Sequence, residues 1–153
     1  MDMSFMSKFL VQGRDAGRIL NRLSTANVDG EAGFITYTQW LNDEGKMEAD
    51  ITINKHSADK FTIVVTDTMH RHVETLATRA IGPNDHCTLT DVTSGFTQLN
   101  VQGPHSRKLM QLLTDTDMSD HAFPFRASKQ ISIGMAKVTC VRITYAPAPP
   151  SQT

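Results

Sequence analysis

Cysteine is scarce: Cys87 and Cys140 are the only two in 153 residues, too few for the multi-bridge framework that staples small secreted domains. Both fall in apolar strand surroundings, so buried free thiols and a reducing compartment are expected. No apolar run approaches the roughly 20 residues of a membrane span, and Met1 to Phe9 lack the charged and apolar regions of a signal peptide. The expected location is the cytoplasm, or the mitochondrial matrix in a eukaryote, with no membrane partner. Charge of one sign is missing as well. Fifteen Lys and Arg against 16 Asp and Glu leave a formal charge of -1, so no global field draws a polyanion and no nucleic-acid partner is expected.

Several catalytic signatures are absent too. The six histidines offer no metal spacing: His70 and His72 are two apart, whereas zinc pairs on helices sit at i, i+4. Solvated surface histidine is the expectation, and no metal site is. Gly13-Arg14-Asp15-Ala16-Gly17 lacks the fingerprint and the Lys of a phosphate-cradling loop. Ser106 follows His105 without the Gly-x-Ser-x-Gly elbow of a serine hydrolase.

What is present is a repeated unit in a chain of one-domain size. Phe9 to Gln12 reads as a strand ending at Gly13, and Ala16, Ile19, Leu20 and Leu23 then fall at amphipathic-helix spacing. Ninety residues on, Leu99-Asn100-Val101-Gln102-Gly103 precedes a segment whose Leu109, Met110 and Leu113 keep the same register. Between the copies, Ala32 to Leu41 reads as a strand, and Ile51 to Asn54 and Phe61 to Val65 as a hairpin with a polar loop from Lys55 to Lys60. Thr68 to Ala80 reads as a helix with Met69, Val73, Leu76 and Ala80 on one stripe. Strands are expected at Cys87 to Thr93, Phe96 to Gly103, Ile131 to Ile133 and Val138 to Tyr145. The fold class is α+β, a pseudo-duplicated mixed or antiparallel sheet with helices packed on it and an incomplete second half. An unfinished sheet leaves an open edge, which allows self-association.

Asp50 stands where a strand begins, so it either satisfies local backbone N–H groups or offers its carboxylate to a pocket over the sheet. In the second case it accepts a hydrogen bond from a ligand amine or steadies a cationic iminium, with the ring and hydroxyl of Tyr37 nearby. Tyr37 and Trp40 also fit as core or interface aromatics. Asp43, Glu44 and Glu48 read as a solvated turn.

The run Leu23-Ser24-Thr25-Ala26-Asn27-Val28-Asp29, then Gly33, Tyr37-Thr38, Leu41-Asn42, Gly45 and Asp50, then Phe61 to Thr66 and Leu99 to Pro104, resembles the folate-binding domain of the aminomethyltransferase family. That family includes the glycine-cleavage T-protein and the C-terminal half of dimethylglycine and sarcosine dehydrogenases. Leu113 to Asp120, Phe123, Phe125 and Val141 to Tyr145 resemble the dehydrogenase branch most. The resemblance covers residues 5 to 145. It implies that Asp50 is the active-site aspartate beside the folate nitrogen that accepts a one-carbon unit, that Tyr37 lines the pterin pocket, and that Val64 and Thr66 meet the pterin. Thr66 stands where the T-protein usually has Asn.

The implied cofactor is tetrahydrofolate, with FAD only in a separate domain, and the implied partner is a small methylated amine such as dimethylglycine or sarcosine. Family members continue after Tyr145 with a Gly-Glu turn whose glutamate binds the pterin, and here Ala146-Pro147 replaces it. Losing a charged acceptor of this kind costs roughly 1.5–3 kcal/mol. The expectation is a partial folate-binding domain over 1–145 and a Pro-rich disordered tail over 146–153. A non-catalytic regulatory or structural module is the alternative, and whether the chain is itself an enzyme stays open.

Overall fold

Phe9 and Val11, two apart on one face, build β1 (Ser7–Gln12), and the stripe of Ala16, Ile19 and Leu20 builds α1 (Ala16–Leu23). The computed structural model describes residues 1–143. Beyond α1 come β2 (Phe34–Leu41), β3 (Met47–Ser57) and β4 (Lys60–Val65). A 3-10 turn over Asp67–Met69 then leads into α2 (His70–Ala80), followed by β5 (Thr88–Asp91), α3 (Ser106–Leu113), β6 (Ser128–Ile133) and β7 (Ala136–Val141). Two compact units result, Met1–Val101 and a second that begins at Gln102. Among the described residues no helix is long and apolar enough to cross a membrane.

In the first unit five antiparallel strands run in the order β2-β3-β4-β1-β5. One face of this sheet carries Phe9, Val11, Trp40, Ile51, Ile53, Phe61, Ile63 and Val65, all at most 2% exposed, packed with Ala16 and Leu20 of α1 and Val73 and Ala77 of α2. Each large side chain of this kind contributes about 1.5–3 kcal/mol by leaving water. The second unit holds α3 and the two-stranded β6-β7 ladder. The architecture is therefore α+β with antiparallel sheets.

The duplication is visible in backbone and hydrogen bonds alike. Gly13 and Gly103 both take positive φ, +134° and +112°, and helices begin three residues later in each case. Asn21 Oδ1 accepts the Val28 N–H at 2.9 Å, and ninety residues on Gln111 Oε1 accepts the Met118 N–H at 2.9 Å. Asn27 accepts the Asp29 N–H just as Asp117 accepts the Ser119 N–H. Ahead of each hairpin a positive-φ residue, Gly33 or Arg126, donates its N–H to Lys55 O or Arg142 O. Lys55 pairs with Asp29, and Arg142 with Asp120.

Three expectations change. The polar stretch from Lys55 is strand, because its side chains find partners: Lys55 bonds Asp29 at 2.6 Å beside the Phe61 ring, and His56 Nε2 lies 2.8 Å from Thr62 Oγ1. Phe96 to Gly103 forms no strand; it meets the chain start, through an Asp2–Leu99 bridge and the Met1 and Met3 bonds to Asn100 and Gln98. His70 is packed rather than solvated, with Nδ1 2.9 Å from Ser7 Oγ and its ring against Phe9. Burial pushes both thiols, Cys87 and Cys140, above their ordinary range. Thr144 and Tyr145, expected at the end of the last strand, and the 146–153 tail lie outside the described residues.

Candidate functional site

In an antiparallel ladder, residues directly opposite one another share a face. Tyr37 faces Thr52, Thr52 faces Val64, and Val64 faces Lys8, so these four form a row across the sheet on the side opposite the apolar core. Gln39 faces Asp50 in the neighbouring row. The β3-β4 ladder ends at Thr52↔Val64, and Thr66 follows two residues on, just past β4 at the start of the 3-10 turn. Asp50, Tyr37 and Val64 therefore share one face, at the end of the sheet where β3 begins and β4 stops, and Thr66 follows β4 at that end. Tyr37 is 61% exposed, Asp50 and Thr66 are exposed, and Val64 is half-buried.

The carboxylate of Asp50 is held at both oxygens. The Tyr37 hydroxyl donates to Oδ2 at 2.6 Å, and Gln39 Nε2 donates to Oδ1 at 3.3 Å. Asp50 therefore lies inside β3 with side-chain partners, rather than capping backbone N–H groups at a strand start. An ionised carboxylate offers about four acceptor positions, so two remain for a ligand N–H or a cation. Trp40, by contrast, is core: it is 1% exposed and its Nε1 donates to Ser24 Oγ at 3.1 Å. Thr66 Oγ1 donates to Asp67 Oδ1 at 3.2 Å and lies 3.5 Å from Thr68 Oγ1.

Burial lowers the Lys8 ammonium from its ordinary value, and its Nζ donates to Ser4 O and Met6 O. Glu48 is more than a solvated turn residue. It sits at a β-bulge, where Trp40 faces Ala49 and Leu41 faces Met47, and bulges re-aim side chains. Its carboxylate accepts from Asn42 Nδ2 at 3.1 Å and lies 2.6 Å from His72 Nε2. Gln39 is the residue that the sequence pattern left without a role, and Glu48 is the one it assigned to a solvated turn. The signal for Gln39 was its place two residues from Tyr37, on the same face of the same strand.

The matched N–H···O bonds of Gly33–Lys55 and Arg126–Arg142 also show what the second copy has at the corresponding places. The pair Tyr37↔Thr52 corresponds to Gln130↔Thr139, and Gln39↔Asp50 to Ser132↔Lys137. The phenol and carboxylate therefore belong to the first copy alone. Among the described residues no group of three His, Cys, Asp or Glu side chains is placed to hold a metal ion.

The family model described as the GCVT N-terminal domain matches residues 1–147. Over 146 residues, 95% of the chain, the sequence is 31% identical to a mitochondrial dimethylglycine dehydrogenase of Mus musculus, of which it spans 17%. It is 26% identical over 149 residues, 94% of the chain, to an aminomethyltransferase of Clostridium botulinum, of which it spans 39%. The fold matches the glycine cleavage system aminomethyltransferase T of Bartonella henselae with a TM-score of 0.66 at 17% identity, over 86% of this chain and 35% of that one. The heterotetrameric sarcosine oxidase of Corynebacterium gives 0.68 at 10% identity, over 94% of this chain and 69% of that one.

Proposed function

The chain belongs to the GCVT N-terminal domain family, and from that premise we propose that it is a tetrahydrofolate-binding portion of a one-carbon transfer protein acting on a small methylated amine. The single observation that carries the reading is the Asp50 carboxylate, held by the Tyr37 hydroxyl at 2.6 Å and exposed on the face shared with Val64.

The residues fit the group. A pterin is flat, with ring N–H donors and ring acceptors along its edge; Val64 offers an apolar surface, Thr66 a hydroxyl, Tyr37 a ring and Asp50 an acceptor. Tetrahydrofolate, when bound, supplies the amine nitrogen that carries the one-carbon unit. Asp50 accepts a hydrogen bond from a ligand N–H, and as an anion it favours positive charge developing nearby. Tyr37 holds that carboxylate in place, while Val64 and Thr66 keep a ligand over the sheet. FAD, which the family resemblance assigns to a separate domain, has no part in this reading.

Calorimetric titration of tetrahydrofolate into the chain and into Asp50→Ala tests the proposal. Binding by the wild type, weakened at least tenfold in Asp50→Ala, supports it. Equal affinity removes Asp50 from the account.

A further inference from the structure

Gln39 is held on both sides. Its side-chain amide donates to Asp50 Oδ1 at 3.3 Å, and Gln39 and Asp50 are directly opposed in the β2-β3 ladder. On the other edge of β2, the Gln39 carbonyl accepts the Thr25 N–H at 3.0 Å, and the Gln39 N–H donates to Thr25 Oγ1 at 3.4 Å. The segment after α1 thus straps the edge strand: Ser24 bridges to Trp40, and the Ala26 N–H donates to Thr38 Oγ1. An edge strand without such a strap is free to fray, and a side chain on it has no fixed position from which to aim a donor.

We propose that Gln39 is a positioning residue of the Asp50 site, fixing the rotation of the carboxylate together with Tyr37, with Thr25 as the anchor that keeps Gln39 in register. The proposal rests on the reading of Asp50 as the ligand-facing carboxylate. The two oxygens are held by different donors, the phenol on Oδ2 and the amide on Oδ1. A carboxylate pinned at one oxygen still swings about that bond, whereas one pinned at both presents its remaining lone pairs in one direction. Gln39 touches no ligand in this scheme; it acts through Asp50 alone. It also gives a purpose to the Leu23–Asp29 run, which the family resemblance singles out and which the ligand-facing residues leave unused.

A double-mutant cycle tests it, because residues acting through one another are non-additive. Tetrahydrofolate affinity is measured by calorimetry for the full chain, Gln39→Leu, Asp50→Asn and the double variant, with Gln39→Ala in place of Gln39→Leu if the latter fails to fold. The expected result is a loss of about fivefold on removing the Gln39 amide when Asp50 is present, and no further loss in the Asp50→Asn background. A second readout needs no ligand: the carboxyl carbon resonance of Asp50 moves in Gln39→Leu and stays in place in the distant Lys46→Ala. Equal losses in both backgrounds, or an unmoved resonance, overturn the positioning role while leaving Asp50 in the site. Wild-type affinity in Asp50→Asn, or no binding by the wild type, overturns the functional reading and this inference with it.

Discussion

Helix α1 and helix α3 are the same element ninety residues apart, yet α1 buries Ala16, Gly17, Ile19 and Leu20 while α3 buries nothing. Ile19 is 1% exposed and its counterpart Leu109 is 49% exposed. The local chemistry is the same in both: a positive-φ glycine, an amphipathic turn, and a side-chain amide accepting the N–H seven residues further on. What differs is the surroundings. In the first copy β1 pairs with β4 and β5, and α2 lies alongside α1. Among the described residues the counterpart of β1 joins no ladder, and Leu99 and Val101 are exposed. Helix formation is thus set locally here, while burial, the larger source of stability, is set by strands distant in sequence.

The two glycines break the comparison most sharply. An added Cβ on Gly13 would lie 2.0 Å from the His86 carbonyl oxygen, whereas one on Gly103 meets nothing within 4 Å. Gly13→Ala therefore combines a backbone clash with positive-φ strain, and Gly103→Ala carries the strain alone. Urea unfolding is expected to show a loss of about 3 kcal/mol or more for Gly13→Ala and about 1–2 kcal/mol for Gly103→Ala. Similar losses for the two would mean that the close approach of the His86 backbone is not what distinguishes the copies.

Next in size come the helix faces. Ile19→Ala empties a closed site and is expected to cost about 2–4 kcal/mol, read as a shifted urea midpoint. Leu109→Ala removes a half-exposed side chain and should stay within about 0.5 kcal/mol. A large loss at Leu109 would show that α3 is covered in solution.

The proposed function divides the copies along the same line. Asp50→Lys installs the residue of the second copy and should abolish measurable tetrahydrofolate binding, by removing the acceptor and adding a like charge beside any cationic ligand. The reciprocal Lys137→Asp should leave binding unchanged, since Gln130 stands there in place of Tyr37. A gain of binding in Lys137→Asp would mean that the second copy retains a latent site.

These contrasts also mark what was legible beforehand. The stripes of Ile19 and Leu20 and of Leu109 and Met110 follow from helical period alone, and the alternation of Phe61, Ile63 and Val65 marks the buried face of β4. The exposure of Leu109 does not follow, because it depends on whether a strand lies across it. Asp50 and Tyr37 could be nominated from residue type and family likeness, but their hydrogen bond depends on the β2-β3 register, and Gln39 gains its role only once that register opposes it to Asp50. The polar Lys55 and His56 concealed strand because their satisfying partners, Asp29 and Thr62, are invisible to a local pattern.

The smallest expected effect separates the copies by pH. His56, half-buried in β3, has its pKa lowered by burial and then by the charge of Lys60; by the hairpin correspondence, Ile143 stands in its place in the second copy. In the unfolded chain His56 takes up a proton near the ordinary imidazole value of 6.5, while in the folded chain it does so only at lower pH. Between the two values the unfolded state binds more protons, so stability rises with pH, and it falls as pH drops from above 6.5 toward the folded value. The second copy carries instead Asp120, whose pKa is lowered by hydrogen bonds from Arg142 and Arg107. Its contribution is present above the ordinary carboxylate value of 3.8 and is lost as pH falls through the lower folded value. Urea midpoints followed from pH 8 to pH 5 should therefore decline slightly for the wild type and stay level for His56→Leu, whereas Asp120→Asn should change the profile only in the acid limb below about pH 4. An unchanged neutral limb in His56→Leu would remove His56 from the account of that proton uptake.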